Sequence, residues 1–393
     1  MIIWLFLRAL LVALLTLCAA IVLRYLLLRR GMLRAGRSPP QLPSGFATSE
    51  VENFIRRRDE QAAPLQPDAG SAVLWFDGQR DTRADVVVLF LHGWSASVQE
   101  ISPVDVNIAR GLRAHLLRYR LTGHGVAPHE RGGDMMRDEA TCHALLNDAG
   151  VAFQLAALLG KRVVLVGCST GAVLSAWLAV QPWAAPLVTN LLLLSPCFSL
   201  LRPSRQIYRS LRWPFLLLPR ALVVPALHKV TGRVNRIPYK SVAQAHCSFL
   251  TPCSSLLAPY SLLLTPCSYA WSLLVTSYSL LRAAQAHCWT LVYPTEASLN
   301  AIGVFVTAEV ALDPAQLRVP VFVWACPEDP TADYTITEEW CRSVPVCSLE
   351  AVTPGTEQKH NITGGIQNPS TVERISTRAV ELSRAVLGEG ARG

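Results

Sequence analysis

The run Val163–Val166 leads straight into Gly167-Cys168-Ser169-Thr170-Gly171, and from there into the helical stretch Ala172-Val-Leu-Ser-Ala-Trp-Leu-Ala179. An apolar strand, a turn carrying a serine between two glycines, and an apolar helix in immediate succession admit few architectures. A sharp strand-to-helix turn forces its central residue into a strained backbone conformation, and flanking glycines let strand and helix approach without clash. This is the context that a nucleophile elbow requires. The bland alternative is a serine in an ordinary strand-to-helix turn. A bare Gly-x-Ser-x-Gly would not separate the two readings, but the flanking strand and helix favour the elbow.

The rest of the chain repeats the alternation. Apolar, β-rich runs lie at Ala72–Phe76, Val86–Leu91, Leu116–Leu121, Val163–Val166, Leu191–Leu194, Val321–Ala325 and Val346–Leu349. Helical patterns at Glu139–Leu159, Gly171–Val180 and Thr371–Leu387 separate them. Strands this apolar must be buried on both faces, which predicts an α/β fold with a mostly parallel sheet covered by helices.

Residues 201–319 break the alternation and read as a cap over the sheet. Within them Ala243-Gln-Ala-His-Cys247 recurs as Ala284-Gln-Ala-His-Cys288, and Ser248–Leu281 between the copies carries no charge. The stretch 248–288 reads as a low-complexity insertion, either a recent expansion or translated non-coding sequence. The resulting division is an anchor at 1–28, a linker at 29–71, core at 72–200, cap at 201–319 and core again at 320–393. Val51–Arg58 is expected to form a short helix within the linker.

Met1–Leu28 is apolar apart from Arg8 and Arg24, and Ala9–Leu28 is long enough to cross a bilayer with Arg24 snorkelling at its end. A cleaved signal peptide is the competing reading. The net charge of +8 would invite nucleic acid or anionic lipid if it were spread over the chain. However, six arginines and no acid lie in residues 1–40, leaving 30 basic and 28 acidic groups in the remainder. The body is nearly neutral and has no basic stripe with interleaved aromatics, so nucleic-acid binding is set aside. Arg24, Arg29, Arg30, Arg34 and Arg37 all follow the apolar run, which places the body in the cytoplasm as a single-pass membrane protein. The 11 cysteines are odd in number and contain no Cys-x-x-Cys pair, so isolated thiols are preferred to a disulfide framework or a zinc site.

A serine alcohol is a poor nucleophile and needs a base together with donors for the developing oxyanion. Phe90-Leu91-His92-Gly93-Trp94 follows an apolar strand. A His-Gly-x loop there can present the Trp94 backbone N–H, and Thr170 can supply a second at the start of the helix after the elbow. His92 is read as shaping the loop rather than as the base.

With these motifs in order, the chain resembles the α/β-hydrolase superfamily, in the branch of monoglyceride-lipase-like and serine aminopeptidase S33-type hydrolases. The resemblance spans roughly Ala72–Leu387 outside the insertion and includes Arg120-Leu-Thr-Gly-His-Gly125, in which His124 is expected to be structural. It implies that the acid lies in the turn Cys326-Pro-Glu-Asp-Pro-Thr-Ala-Asp333, at Asp329, with Glu328 and Asp333 as rivals that solvent or a helix N-terminus would otherwise occupy. It also implies a base after the acid in the chain order Ser, Asp, His; the histidine following Asp329 is His360. The implied activity is hydrolysis of a small hydrophobic ester, monoacylglycerol-like or another lipid acyl ester, with no cofactor and no metal. A non-catalytic scaffold or membrane receptor of the same fold is the alternative. Asn361-Ile362-Thr363 is a glycosylation sequon adjoining His360.

Overall fold

The computed structural model describes residues 1–62, 64–200, 205–231, 234–236, 288–290, 292–356 and 358–388. The insertion at 248–288 lies outside the described residues except for Cys288, as does the repeated pentapeptide except for that residue. The domain is an α/β fold built on one mostly parallel sheet covered by helices. Strands β1 (Ala72–Leu74), β2 (Ala84–Leu91), β3 (His115–Tyr119), β4 (Gly160–Cys168), β5 (Val188–Leu194), β8 (Val321–Ala325) and β9 (Cys347–Ala351) form one sheet in the order β1-β3-β2-β4-β5-β8-β9. β1 pairs with β3 antiparallel and every other neighbour in this sheet is parallel. The short strands β6 (Val234–Arg236) and β7 (Val292–Pro294) pair separately.

The apolar runs become strands because each one feeds two cores at once. Along β2, Val87, Leu89 and Leu91 enter one cluster while Val86, Val88 and Phe90 enter the other. β4 does the same, with Val163 and Leu165 on one side and Val164, Val166 and Cys168 on the other. The period-2 geometry of an extended chain requires this division, and each fully buried Val, Leu or Phe contributes about 1.5–3 kcal/mol.

Helices α5 (Cys142–Leu159) and α6 (Thr170–Ala179) cover the first face, while α3 (Val104–Gly111) and α11 (Val372–Leu387) cover the second. The Thr141 hydroxyl accepts from Ala144 N at 3.2 Å and so starts α5, while Gly388, at φ +76°, closes α11 in the left-handed conformation. α10 (Tyr334–Ser343) leads into β9.

In three places the tertiary packing departs from the sequence reading. The segment 29–71 is not a free linker. α1 (Ile2–Arg34) runs into a stretch whose Ala35, Leu42 and Phe46 pack on the first core, where Gly36 O accepts from Trp183 Nε1 at 2.5 Å. Beyond it, α2 (Val51–Gln61) buries Val51 and Ile55 in the same core. The region 201–319 is also heterogeneous. α9 (Ser298–Ala311) belongs to the first core through Ala301, Val304, Phe305 and Ala308, and α7 (Arg205–Leu217) and α8 (Arg220–Thr231) rest on its other side through Tyr208 and Val223. Finally, Cys341 and Cys347 are disulfide-bonded rather than isolated, because the tight return from α10 into β9 brings their Cα atoms to 5.5 Å.

The helix Trp4–Arg34 is long and apolar enough to cross a membrane, and at 1.5 Å per residue its 31 residues span ~46 Å. A signal sequence near an N-terminus passes the same test. Leu7, Leu10, Leu11, Leu14 and Leu15 are all exposed, whereas the far end is docked: Tyr25 meets Trp213 edge-on at 4.8 Å and Met32 joins the α7–α9 cluster.

These contacts set where the chain can be shortened. A chain beginning at Ser44 is expected to melt roughly 5 °C below one beginning at Gly31. It loses the contacts of Ala35 and Leu42 with the first core and the hydrogen bond from Trp183 to Gly36 O, about 3 kcal/mol at roughly 1 kcal/mol for each. Melting curves of the two truncated chains check this, and equal midpoints would mean that the segment is only a tether.

Candidate active site

In a parallel sheet the loops at the carboxyl ends of adjacent strands meet over one edge. β2, β4, β8 and β9 each deliver a sequence-predicted residue there: the His92–Trp94 loop, Ser169, Asp329 and His360 respectively. β4 is the middle strand of the seven, so the serine stands at the centre of that edge.

Ser169 adopts φ +54° and ψ −115°, a conformation that costs a non-glycine residue about 1–3 kcal/mol. Its neighbours hold it there: Ser169 N donates to Leu194 O at 2.9 Å and Cys197 N donates to Ser169 O at 3.3 Å. The two glycines are required by space. A Cβ on Gly167 would stand 2.5 Å from Gly171 O, and one on Gly171 would stand 2.0 Å from Leu91 O.

The hydroxyl of Ser169 lies 2.9 Å from His360 Nε2, and His360 Nδ1 lies 2.6 Å from Asp329 Oδ2. The other carboxylate oxygen of Asp329 accepts from Thr331 N at 2.7 Å and Ala332 N at 3.0 Å. With Nδ1–H committed to the carboxylate, Nε2 is left as the acceptor for the serine proton. All three side chains are buried.

The rival acids sit elsewhere. Glu328 is an exposed partner of Lys359 at 3.4 Å, and Asp333 caps α10 by accepting from Thr335 N at 3.1 Å and Ile336 N at 3.4 Å. Asn361 is only 3% exposed beside His360, so the sequon is closed to a glycan in the folded protein.

The loop after β2 is fixed by His92. Its Nε2 accepts from Leu121 N at 3.0 Å, which leaves Nδ1–H to donate to Gly93 O at 2.9 Å. Ala96 N donates to the same carbonyl at 3.2 Å. The Gly93–Trp94 peptide is trans, so the Trp94 N–H points away from the carbonyl that His92 and Ala96 hold. Thr170 opens α6, where the first N–H groups have no partner within the helix and the positive end of the helix dipole favours an anion. The cap border closes over this loop, with Thr290 N donating to Ser95 O at 2.7 Å and Trp289 bridging to Ala96.

A sequence profile described as the alpha/beta hydrolase family matches residues 88–357. The chain belongs to that family. Among solved structures, one of the metagenome-derived lipolytic enzymes LipS and LipT is 14% identical, with a TM-score of 0.52 over 82% of this chain and 99% of that one. A soluble variant of monoglyceride lipase from Saccharomyces cerevisiae is 13% identical at a TM-score of 0.47, covering 81% and 91% of the two chains. Paleococcus ferrophilus monoacylglycerol lipase is 12% identical at 0.47, covering 80% and 98%. At 14% identity the likeness to the first of these is one of fold alone. A search of curated protein sequences finds no match.

In this alpha/beta hydrolase His124 packs against the His92–Trp94 loop, its ring edge-on to His92 at 5.2 Å and to Trp94 at 5.1 Å. Burial, helped by the Arg120 charge and opposed by the hydrogen bond to Thr122 O, brings its pKa from 6.5 down to about 4. Burial above all also holds His92 well below the usual range, with the neighbouring His124 adding to it.

Both rings are therefore neutral when folded, whereas the unfolded chain takes up protons below pH 6.5. The stability they carry is complete above the unfolded value and is lost as the pH falls from there toward 4. Between pH 7 and pH 5 the loss from His124 alone is about 2 kcal/mol. Urea unfolding midpoints at the two pH values check this, and His124→Gln should flatten the dependence. A midpoint that rises on acidification would contradict the assignment.

One buried carboxylate of this site went unread in the sequence. Glu100, eight residues after His92, is 3% exposed, and its Oε2 accepts from Gly93 N at 2.6 Å. The available signal was an acid within Val98-Gln-Glu-Ile101, where a helix or strand face would otherwise be apolar.

Proposed function

We propose that this chain is a serine hydrolase that cleaves hydrophobic carboxylic esters through an acyl-enzyme. The observation that carries the reading is the unbroken chain of hydrogen bonds from Ser169 through His360 to Asp329. His360 Nε2 takes the proton of Ser169 as its Oγ attacks the ester carbonyl, and the Asp329 carboxylate holds the imidazole in the required tautomer and stabilises the imidazolium. The carbonyl oxygen, now an anion, accepts from the Trp94 and Thr170 amides. Collapse expels the alcohol, which receives the proton from His360. Water then enters by the same route: His360 takes its proton, the acyl carbon is attacked, and the acid leaves as Ser169 recovers its own.

A hydrophobic acyl chain suits the surroundings, because Trp94 packs with Met136, Tyr293 and Ala297 in an apolar cluster against the oxyanion loop. The lipolytic activity named for the structural neighbours agrees with this choice at the level of fold. The test is labelling by a fluorophosphonate probe, followed by turnover of a panel of p-nitrophenyl esters and monoacylglycerols. A chain that is folded yet inert to probe and esters would leave the non-catalytic scaffold as the better reading.

The membrane is proposed as the second partner, held by α1, with the arginines after its apolar run keeping the body in the cytoplasm. The docking of Tyr25 and Met32 on α7 and α9 favours retention of the helix over its removal. Alkaline carbonate should leave the full chain in the membrane fraction. The Cys341–Cys347 disulfide favours a second reading, with the body in an oxidising compartment. Protease protection in sealed membranes separates the two.

A further inference from the structure

The proposed chemistry employs the loop from His92 to Trp94 but leaves Glu100 without a part. A carboxylate withdrawn from water costs several kcal/mol unless its hydrogen bonds replace the solvent, and an apolar side chain would fill the same volume without that cost. Where its contacts fall is therefore informative.

One carboxylate oxygen of Glu100 accepts the Gly93 N–H at 2.6 Å, and the other would be 3.0 Å from a Cβ on Gly93. The same hypothetical Cβ would be 3.0 Å from Ser169 Cβ, so Gly93 is wedged between Glu100 and the elbow. The Cys168 thiol, one residue before the proposed nucleophile, is held well above its ordinary pKa, by burial first and then by the charge of Glu100. On the third side, the backbone of Glu100 meets the loop that follows His360. A Cβ on Gly364 would stand 2.8 Å from Glu100 O, and Gly365 N donates to Ser102 O at 2.7 Å.

The two peptides of the oxyanion loop are thus held at opposite ends. His92 and Ala96 hold the carbonyl of the Gly93–Trp94 peptide, while Glu100 holds the N–H of the His92–Gly93 peptide. Fixing both leaves the Gly93 φ and ψ little freedom, and these are the torsions that aim the Trp94 N–H. We infer that Glu100 is the positioning residue of the oxyanion hole, its carboxylate clamping the Gly93 amide so that the Trp94 N–H is aimed before substrate arrives. The inference rests on the hydrolase reading above and deepens it.

A preorganised donor acts on the transition state more than on the bound ester, so its loss belongs in kcat and in the affinity of tetrahedral analogues, with KM little changed. The experiment compares native protein, Glu100→Gln and Glu100→Ala on a p-nitrophenyl ester, with an alkyl trifluoromethyl ketone as the tetrahedral probe. The amide oxygen of Gln still accepts the Gly93 N–H, so Glu100→Gln is expected to stay within about 3-fold of native in kcat.

Glu100→Ala is expected to lose roughly 10- to 100-fold in kcat and a matching factor in ketone affinity, against the 10²- to 10³-fold cost of deleting an oxyanion donor outright. If that variant does not fold, Glu100→Asp replaces it. By drawing the carboxylate back one methylene it should lower kcat and ketone affinity in parallel. Alanine or aspartate variants with native kcat, a Gln variant as impaired as the Ala variant, or a Gln variant faster than native because removing the charge relieves the oxyanion would each overturn the proposal. Native protein that neither labels nor turns over ester would instead sink the hydrolase reading, so the two failures are distinct.

Discussion

Ser169→Ala is expected to abolish fluorophosphonate labelling and to lower kcat on esters by about 10⁴- to 10⁶-fold while leaving the unfolding midpoint near that of the native protein. The size follows from the hydrogen-bond chain, in which the hydroxyl at 2.9 Å from His360 Nε2 is the proposed reacting group. His360→Ala should cost nearly as much. Asp329→Asn should cost about 10³- to 10⁴-fold, since an amide in place of the carboxylate accepting from Thr331 N, Ala332 N and His360 Nδ1–H turns the imidazole toward the wrong tautomer.

Two controls locate the acid. Glu328→Gln touches an exposed side chain and should leave kcat unchanged, whereas Asp333→Asn should cost at most about 1 kcal/mol of helix capping. Ser169→Gly adds a further check, because relief of the positive φ should raise stability by roughly 1 kcal/mol as activity vanishes. Full labelling of Ser169→Ala, or greater damage from Asp333→Asn than from Asp329→Asn, would move the corresponding role elsewhere.

Gly171→Ala carries the largest expected effect on stability, about 3 kcal/mol or more. The new Cβ would lie 2.0 Å from Leu91 O and 2.6 Å from His92 O. Both are backbone atoms at the end of β2, and neither can rotate aside as a side chain could. Relief requires α6 to lift from β2, which opens the first core and separates Ser169 from the His92–Trp94 loop in one movement. Stability and the rate of probe labelling should therefore fall together, beyond the 1–3 kcal/mol typical of overpacking at a yielding site. Gly355→Ala, with nothing within 4 Å of the added carbon, should remain within about 0.5 kcal/mol of native. Urea unfolding of both variants decides the matter, and a Gly171→Ala midpoint close to native would mean that α6 can move off β2 at little cost.

The seven strands of the main sheet were legible because their signal is local. A run such as Val86–Leu91 is apolar at every position, and only a strand with a core on each face uses such a run. The elbow was legible for the same reason, since strand, turn and helix occupy consecutive residues. Asp329 and His360 were reached through the order of motifs along the chain, and the fold brings them to Ser169 across separations of 160 and 191 residues that no local pattern encodes.

What sequence alone left unread depends on contacts between distant segments. Residues 35–46 look like a tether, because a Pro- and Gly-rich stretch is the same string of letters whether it hangs in solvent or covers Trp183. α9 was read as part of the cap because the strand–helix alternation breaks after residue 200 and resumes only at Val321, whereas its place in the first core is set by long-range packing of Ala301, Val304, Phe305 and Ala308. Cys341 and Cys347 pair because α10 turns back into β9, a direction that the six-residue spacing does not contain.

Glu100 is the sharpest case. In sequence it is one acid among 28 acidic residues, and only the folding of three loops around it gives its carboxylate the Gly93 amide to hold. The sequence by itself determined the sheet, the elbow and the order of the chemical groups, because hydrophobic periodicity and backbone sterics act over a few residues. The tertiary structure alone decided which donors, covers and clamps meet at Ser169, because those are long-range contacts whose partners are chosen by the packing of the whole domain.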